Sequence, residues 1–454
     1  MSGMNTILKV EDLKTQFVSW NGLVKALDGI SFEIRSGECL GLVGETGCGK
    51  SVTALSIMNL IPETSGAVTG GKITFEDYNL VETQMAACKV IQTKTKPRLK
   101  VRRSKIKENS RKMNKIRGGM LSMIFQEPMT TLNPVMTIGE QITDVLYAHQ
   151  ISELTQRIIA RKSITEEELR VIYKHCVEGN DLKFLFDFVD LNNGLKGIVP
   201  QIEFIINRKD ITNYRKKKMI SDLFDKDRSV PTQINRLKVW KSIRVPRFLP
   251  PLLKQEAEKV AIELLSKVSI PEPTKVIIQY PHELSGGMRQ RVVIAIAIAC
   301  NPHLLIADEP TTALDVTTQA QILDIIKDLK NIHSMSILFI THDLGVISDI
   351  SDKVAVMYAG NIVEMAYTEN LFERPKHPYT QGLLKSIPVY EQKKTELAAI
   401  PGSVPNLVHP PEGCRFNPRC DHVMEICRTT KPVMTEVEEN HSVACWLYSK
   451  KEEK

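Results

Sequence analysis

Apolar and polar side chains alternate from Leu8 to Phe17 and again from Ala26 to Ile34, with Trp20-Asn21-Gly22 between them. This is the pattern of two strands joined by a turn at a β-rich edge. From Cys39 to Val43 the alternation gives way to an unbroken apolar run, as expected of a strand buried on both faces. Further strands are expected at Lys72 to Phe75, Met120 to Phe125, Leu304 to Ala307 and Ser336 to Ile340, and helices at Val52 to Met58, at Leu253 to Val268 and after Ser285. The alternation of the two element types predicts an α/β fold. The longest apolar run, Val292 to Cys300, falls short of the roughly 18 residues of a membrane span and reads as a buried helix.

Between the strand ending at Val43 and the helix opening at Val52 lies Gly44-Glu45-Thr46-Gly47-Cys48-Gly49-Lys50-Ser51. In a strand-to-helix loop of this spacing the glycines let backbone N–H groups turn inward around a polyphosphate, and the helix N-terminus adds its dipole. Lys50 supplies a point charge to the β- and γ-phosphates, and Ser51 offers a hydroxyl to Mg²⁺. A nucleoside triphosphate is the expected ligand. Phe17, or failing that Trp20, is a candidate platform for the base, although an aromatic residue in a strand also serves as plain core.

Other strand ends carry matching chemistry. Gln126 follows the run to Phe125, where it can bind Mg²⁺ or orient water. The run from Leu304 delivers Asp308 and Glu309, one carboxylate for Mg²⁺ and one to polarise the attacking water. His342 follows Ile340, where an imidazole can reach a γ-phosphate. Ser285, Gly286 and Gly287 open a helix with a hydroxyl and free N–H groups, a second anion-binding surface, and Asp315 begins the next helix.

Charge and cysteine usage refine this picture. Lys plus Arg number 60 against 53 acidic residues, a net +7 concentrated in few segments. Lys94 to Lys107 holds eight basic residues and no acid, a density that favours an extended, solvated loop. Residues 150 to 253 look like helical segments joined by breaks, with basic runs at Arg215 to Lys218 and Arg236 to Arg247; a solvated inserted lobe and a lipid or RNA contact are both open readings. The nine cysteines, with no export signal ahead of them, argue for a reducing compartment. Four of them, Cys414, Cys420, Cys427 and Cys445, cluster near the end, without the paired C-x-x-C knuckle of a zinc finger.

These motifs stand in the order of an ATP-binding cassette (ABC) ATPase, which the chain resembles over residues 5 to 150 and 254 to 447. Phe125-Gln126-Glu127-Pro128, Leu132-Asn133-Pro134, His377-Pro378-Tyr379-Thr380-Gln381, Ser386-Ile387-Pro388 and Pro401-Gly402-Ser403-Val404-Pro405-Asn406-Leu407 are similar to the oligopeptide and dipeptide importer subfamily. The resemblance implies a P-loop cassette with a RecA-like core, an antiparallel β edge, a helical subdomain and a small Cys-rich C-terminal domain; the chain departs from it by a basic insertion near residues 88–115 and by an insertion that enlarges the helical subdomain. The implied divisions are a core at 5–135 and 284–385, a helical subdomain at 136–283 with an extra lobe at about 150–253, and the C-terminal domain at 386–454.

It further implies ATP and Mg²⁺ as cofactors, with Gly44 to Val52, Phe17, Ser285, Gly286, Gly287 and Asp315 around nucleotide. Ser51, Gln126 and Asp308 would serve Mg²⁺, and Glu309, His342 and Gln126 would serve hydrolysis. The expected partners are a second, homologous ATPase subunit, two membrane permeases docked near Gln126 to Pro134 and, indirectly, an extracellular substrate-binding protein, with no specific nucleic acid. The place of work is the cytoplasmic face of the cell membrane. Import of another solute, such as nickel or a sugar, is the alternative, and a non-transport cassette acting on nucleic acid a more distant one. In the subfamily's similar tail four cysteines carry a [4Fe-4S] cluster; zinc and unliganded thiols stay open beside it. Far in sequence from Lys50 and Glu309, that cluster is expected to be structural, with nucleotide binding independent of it.

Overall fold

The computed structural model describes residues 5–91, 96–162, 204–208, 212, 215–216, 218–220, 251–312, 314–333, 335–386 and 400–448. The chain divides into two compact units, one made of residues 1–135, 268–270 and 280–454, the other of residues 136–267 and 271–279.

The first unit is built on two main sheets. Strands β1 (Thr6–Ser19) and β2 (Gly22–Arg35) form the hairpin that the alternation predicts, turning at Trp20 and Asn21. Next come β3 (Cys39–Val43), fully buried, and β4 (Gly66–Phe75), which pairs antiparallel with β1 and, at its far edge, with the short β5 (Tyr78–Asn79). A separate hairpin joins β6 (Cys88–Ile91) to β7 (Arg98–Val101). The remaining strands are β8 (Leu121–Ile124), β9 (Leu304–Asp308), β10 (Ser336–Thr341), β11 (Lys353–Tyr358), β12 (Asn361–Tyr367), β13 (Thr435–Glu438) and β14 (His441–Val443).

The eight-stranded sheet runs in the order β13-β14-β12-β11-β3-β10-β9-β8. Its β11-β3-β10-β9-β8 part is parallel, with Leu40 beside Leu338, Leu338 beside Ile306 and Ile306 beside Met123. Helices cover such strands, so both faces must be apolar, and every residue of β3, β8, β9 and β10 is buried. One core joins Leu8, Val10 and Leu13 of β1 and Ile30, Phe32 and Ile34 of β2 to Leu40, Leu42, Ile306, Leu338 and Ile340 of the parallel strands. Each such side chain contributes about 1.5–3 kcal/mol of burial. This core fixes the carboxyl ends of neighbouring strands side by side, and an open α/β sheet places ligands there.

The basic stretch is not the extended loop that its charge density predicts. From Arg98 onward it forms β7 and then a helix, Arg103–Met113; Lys94 lies outside the described residues. Leu99 and Ile106 turn inward with Val90 onto Ala67, Ala87 and Cys88, leaving Arg98, Lys100, Arg102 and Arg103 in solvent. A small apolar seam suffices to order the segment because most of its described charges face water.

The second unit is helical. Ile138–His149 begins with a reciprocal capping box between Thr137 and Glu140, and the N–H groups of Ile138 and Gly139 donate to the carbonyls of Gln279 and Ile277. Ile151–Lys162 and Pro251–Lys267 pack beside it, with an Arg157–Glu263 ion pair at 3.2 Å. Most of the lobe expected at 150–253, including the basic run at 236–247, lies outside the described residues. No helix among the described residues is long and apolar enough to cross a membrane.

Candidate active site

The loop after β3 is built as the spacing of its glycines requires. Gly44, Gly47 and Gly49 have φ of +154°, +82° and +110°. A Cβ on Gly44 would stand 2.1 Å from the Met357 carbonyl oxygen and one on Gly49 2.8 Å from that of Ala26, whereas one on Gly47 would meet nothing within 4 Å. The inner glycines let the loop press against β11 and β2, and the outer one keeps the cradle open. Lys50 and Ser51 open the helix Lys50–Ile57. Lys50 Nζ donates to the carbonyls of Gly44 (2.8 Å) and Glu45 (3.3 Å), so its ammonium sits inside the loop. Thr46 and Gly47 are exposed, Val52 is half-buried, and Cys48 is buried with its thiol pushed up by burial.

The end of β9 meets this loop, and the ends of β8 and β10 join it there at Glu309. Ser51 Oγ donates to Asp308 Oδ1 at 3.2 Å, and burial pushes the Asp308 carboxyl up to about 6 despite that bond. Glu309 adopts φ +47°, a left-handed conformation that costs a non-glycine residue about 1–2 kcal/mol. Its Oε2 accepts from Gln126 Nε2 (3.0 Å) and Thr312 Oγ1 (2.9 Å), while Oε1 faces His342 Nδ1 at 3.1 Å. Burial pushes Glu309 up, but the bonds from His342 and Thr312 outweigh it and hold the carboxyl below its ordinary range. A hydroxyl and a buried carboxylate are the hard oxygen donors that Mg²⁺ takes, and the open glycine cradle beside a buried ammonium suits a polyphosphate.

The other sequence-predicted residues form a second group. Ser285 caps the helix Gly286–Ile298 by accepting from the Met288 N–H at 3.3 Å. Asp315 caps Val316–His333 through both the N–H and the hydroxyl of Thr318, and a Cβ on Gly287 would stand 2.7 Å from Thr318 Cγ2. Gln290, buried in the Ser285-capped helix, donates to the Pro310 carbonyl at 2.6 Å, tying that helix to the segment after Glu309. Phe17 is partly buried against the core and its ring covers Gly66, while Trp20 is 87% exposed with Lys96 Nζ 5.1 Å from its ring centroid.

The C-terminal cysteines belong to the same unit as the phosphate loop. Cys414, Cys420, Cys427 and Cys445 line one small cavity with His377, Phe416 and Trp446. Burial pushes the Cys414 and Cys445 thiols up to about 11, and neighbouring thiols add to the effect. In kind and number the four donors suit an iron–sulfur cluster. As placed, no group of three or more His, Cys, Asp or Glu side chains among the described residues could hold a metal ion.

Sequence reasoning missed Thr312, Tyr379 and Arg419. Thr312 carries a faint signal as a hydroxyl three residues after Glu309. Tyr379 stands in the motif from His377 to Gln381 with no role to read there, and Arg419 carries no signal: Tyr379 Oη accepts from the Glu45 N–H at 2.9 Å and Arg419 grips the Glu45 carboxylate, 334 and 374 residues away in sequence. Distance along the chain therefore does not separate the cysteine-bearing tail from the nucleotide loop.

Comparison with known proteins agrees with this architecture. Residues 27–179 and 191–312 match the ABC transporter family, and residues 363–427 match the family described as oligopeptide/dipeptide transporter, C-terminal region. The chain is 38% identical to the oligopeptide transport ATP-binding protein AppD of Bacillus subtilis, covering 98% of each chain. It is 34% identical to the dipeptide transport ATP-binding protein DppD of the same organism, covering 99% of this chain and 97% of that one. With the oligopeptide transport ATP-binding protein OppD of Salmonella typhimurium it shares 34% identity over 94% of this chain and 90% of the relative.

Proposed function

The chain belongs to the ABC transporter ATP-binding proteins of the oligopeptide/dipeptide type, and from that premise we propose how its residues drive peptide uptake by hydrolysing ATP. The observation that carries the reading is the convergence of three strand ends, those of β8, β9 and β10, on one carboxylate, with Gln126, Thr312 and His342 all within 3.1 Å of Glu309. Lys50 and the loop amides bind the phosphates. Ser51, Asp308 and Gln126 would hold Mg²⁺, which supplies charge compensation at the β- and γ-phosphates when bound. Glu309, kept ionised by its hydrogen bonds, orients and polarises the attacking water, and His342 holds Glu309 and reaches toward the γ-phosphate. Phe17 is the candidate base platform.

Ser285, Gly286, Gly287 and Asp315 form the second group because they serve the nucleotide of a partner subunit. The working unit on this reading is a dimer with a homologous ATPase, peripheral on the cytoplasmic face of the membrane. It would couple to two permeases and, through them, to an extracellular substrate-binding protein. Cys414, Cys420, Cys427 and Cys445 would hold a [4Fe-4S] cluster that orders the tail; zinc is the runner-up occupant. The full chain reconstituted with its permeases and binding protein should hydrolyse ATP faster when a peptide is supplied, and a rate raised only by a non-peptide solute would redirect the assignment.

A further inference from the structure

Glu45 places a carboxylate in a loop built to receive a triphosphate, an electrostatic liability unless something offsets it. The residue is anchored from three directions. Its N–H donates to Tyr379 Oη, its carbonyl accepts from Lys50 Nζ and the Cys48 N–H, and its carboxylate accepts from both terminal nitrogens of Arg419, at 2.7 and 3.0 Å.

Arg419 is committed to this task. Its side chain is only 5% exposed, and each of its five N–H groups has an acceptor. Nε donates to the Pro401 carbonyl at 2.9 Å, Nη1 to Glu45 and the Tyr358 hydroxyl, and Nη2 to Glu45 and the Ile400 carbonyl. The guanidinium lies over the rings of Tyr358 and Phe416, which pack with the buried Tyr379. A lysine has the charge but neither the fork nor the stacking plane.

We propose that Arg419 is a positioning residue for ATP: it neutralises Glu45, fixes the phosphate loop in its open form, and so makes nucleotide affinity depend on the cysteine-bearing C-terminal segment. The inference rests on the reading of Gly44 to Ser51 as the ATP site. Without Arg419 the Glu45 carboxylate would face the incoming triphosphate uncompensated. Neutralising Glu45 in the same chain would remove that penalty.

The test is titration of the full-length chain with the fluorescent analogue trinitrophenyl-ATP, with a thermal melt of each variant as the folding control. Arg419→Gln should weaken binding at least about tenfold, the low end of what one uncompensated charge does near a protein surface. Adding Glu45→Gln should recover most of that loss, and Arg419→Lys should fall between wild type and Arg419→Gln. A merely structural role for Arg419 would lower the melting temperature without this rescue. Wild-type affinity in folded Arg419→Gln, alongside lost binding in Lys50→Ala, overturns the inference and leaves the ATP site standing. A double variant as weak as Arg419→Gln also overturns it. Unchanged binding in Lys50→Ala removes the ATP-site reading and the inference together. Should Arg419→Gln not fold, Arg419→Lys and the double variant decide: weakened binding in the first with near wild-type binding in the second supports the inference, and any other pairing overturns it.

Discussion

His342 Nδ1 stands 3.1 Å from Glu309 Oε1, joining the carboxyl ends of β10 and β9 at the one carboxylate that Gln126 and Thr312 also reach. Glu309 is 11% exposed and His342 56%, so the imidazole sits on the solvent side of the pair. Replacing His342 by Ala should leave ATP affinity near wild type and reduce kcat about a hundredfold, the range of a positioned acid–base partner. Steady-state hydrolysis in the assembled transporter reads this split; an unchanged kcat would remove His342 from the mechanism.

The phosphate-loop glycines should separate folding from binding. Gly44→Ala drives a Cβ to 2.1 Å from the Met357 carbonyl oxygen and should destabilise the unit strongly. Gly47→Ala meets no neighbour within 4 Å and should cost only the left-handed strain, about 1–2 kcal/mol, while weakening ATP binding because its methyl enters the cradle. Melts and titrations of both variants check the contrast; equal melting temperatures would contradict it.

How far the sequence could be read depends on which forces act locally. The strands and the loop between Val43 and Val52 were legible because burial on both faces demands continuous apolar runs and the cradle demands glycine. The hairpin and helix at Cys88 to Met113 were hidden: Val90, Leu99 and Ile106 form too short an apolar seam to stand out among so many charges. Arg419 was equally hidden, since its role exists only where the tail folds back onto Glu45.

Acid should destabilise the protein through His377. Its Nδ1 caps the helix Pro378–Lys385 by accepting from the Tyr379 N–H at 3.0 Å, and burial pushes its pKa down to about 4 despite the Glu364 carboxylate. The unfolded chain takes up a proton near 6.5 that the fold refuses, so this stability is complete above that pH and is lost as pH falls toward about 4, about 3 kcal/mol across the window. Burial pushes Glu364 up, but His441 and the N–H groups of Lys376 and His377 hold it below its ordinary value, so its own contribution is complete above about 4.5 and is lost below that pH. His377→Asn keeps a capping acceptor and should flatten the melting temperature between pH 6.5 and 4. An acid dependence identical to wild type would contradict this.

The cysteine proposal predicts a brown protein with about four irons per chain when purified without oxygen. Cys420→Ser should lose the colour and lower the melting temperature. Stoichiometric zinc without iron would replace the cluster by the runner-up.

The central claim, that Glu309 activates water for ATP hydrolysis, is tested most directly by measuring ATP binding and turnover of Glu309→Gln beside Lys50→Ala in the assembled transporter. Lys50→Ala should lose binding, whereas Glu309→Gln should bind ATP like wild type and turn over at least about a hundredfold more slowly, arrested in a closed dimer. Near wild-type hydrolysis by Glu309→Gln would contradict it.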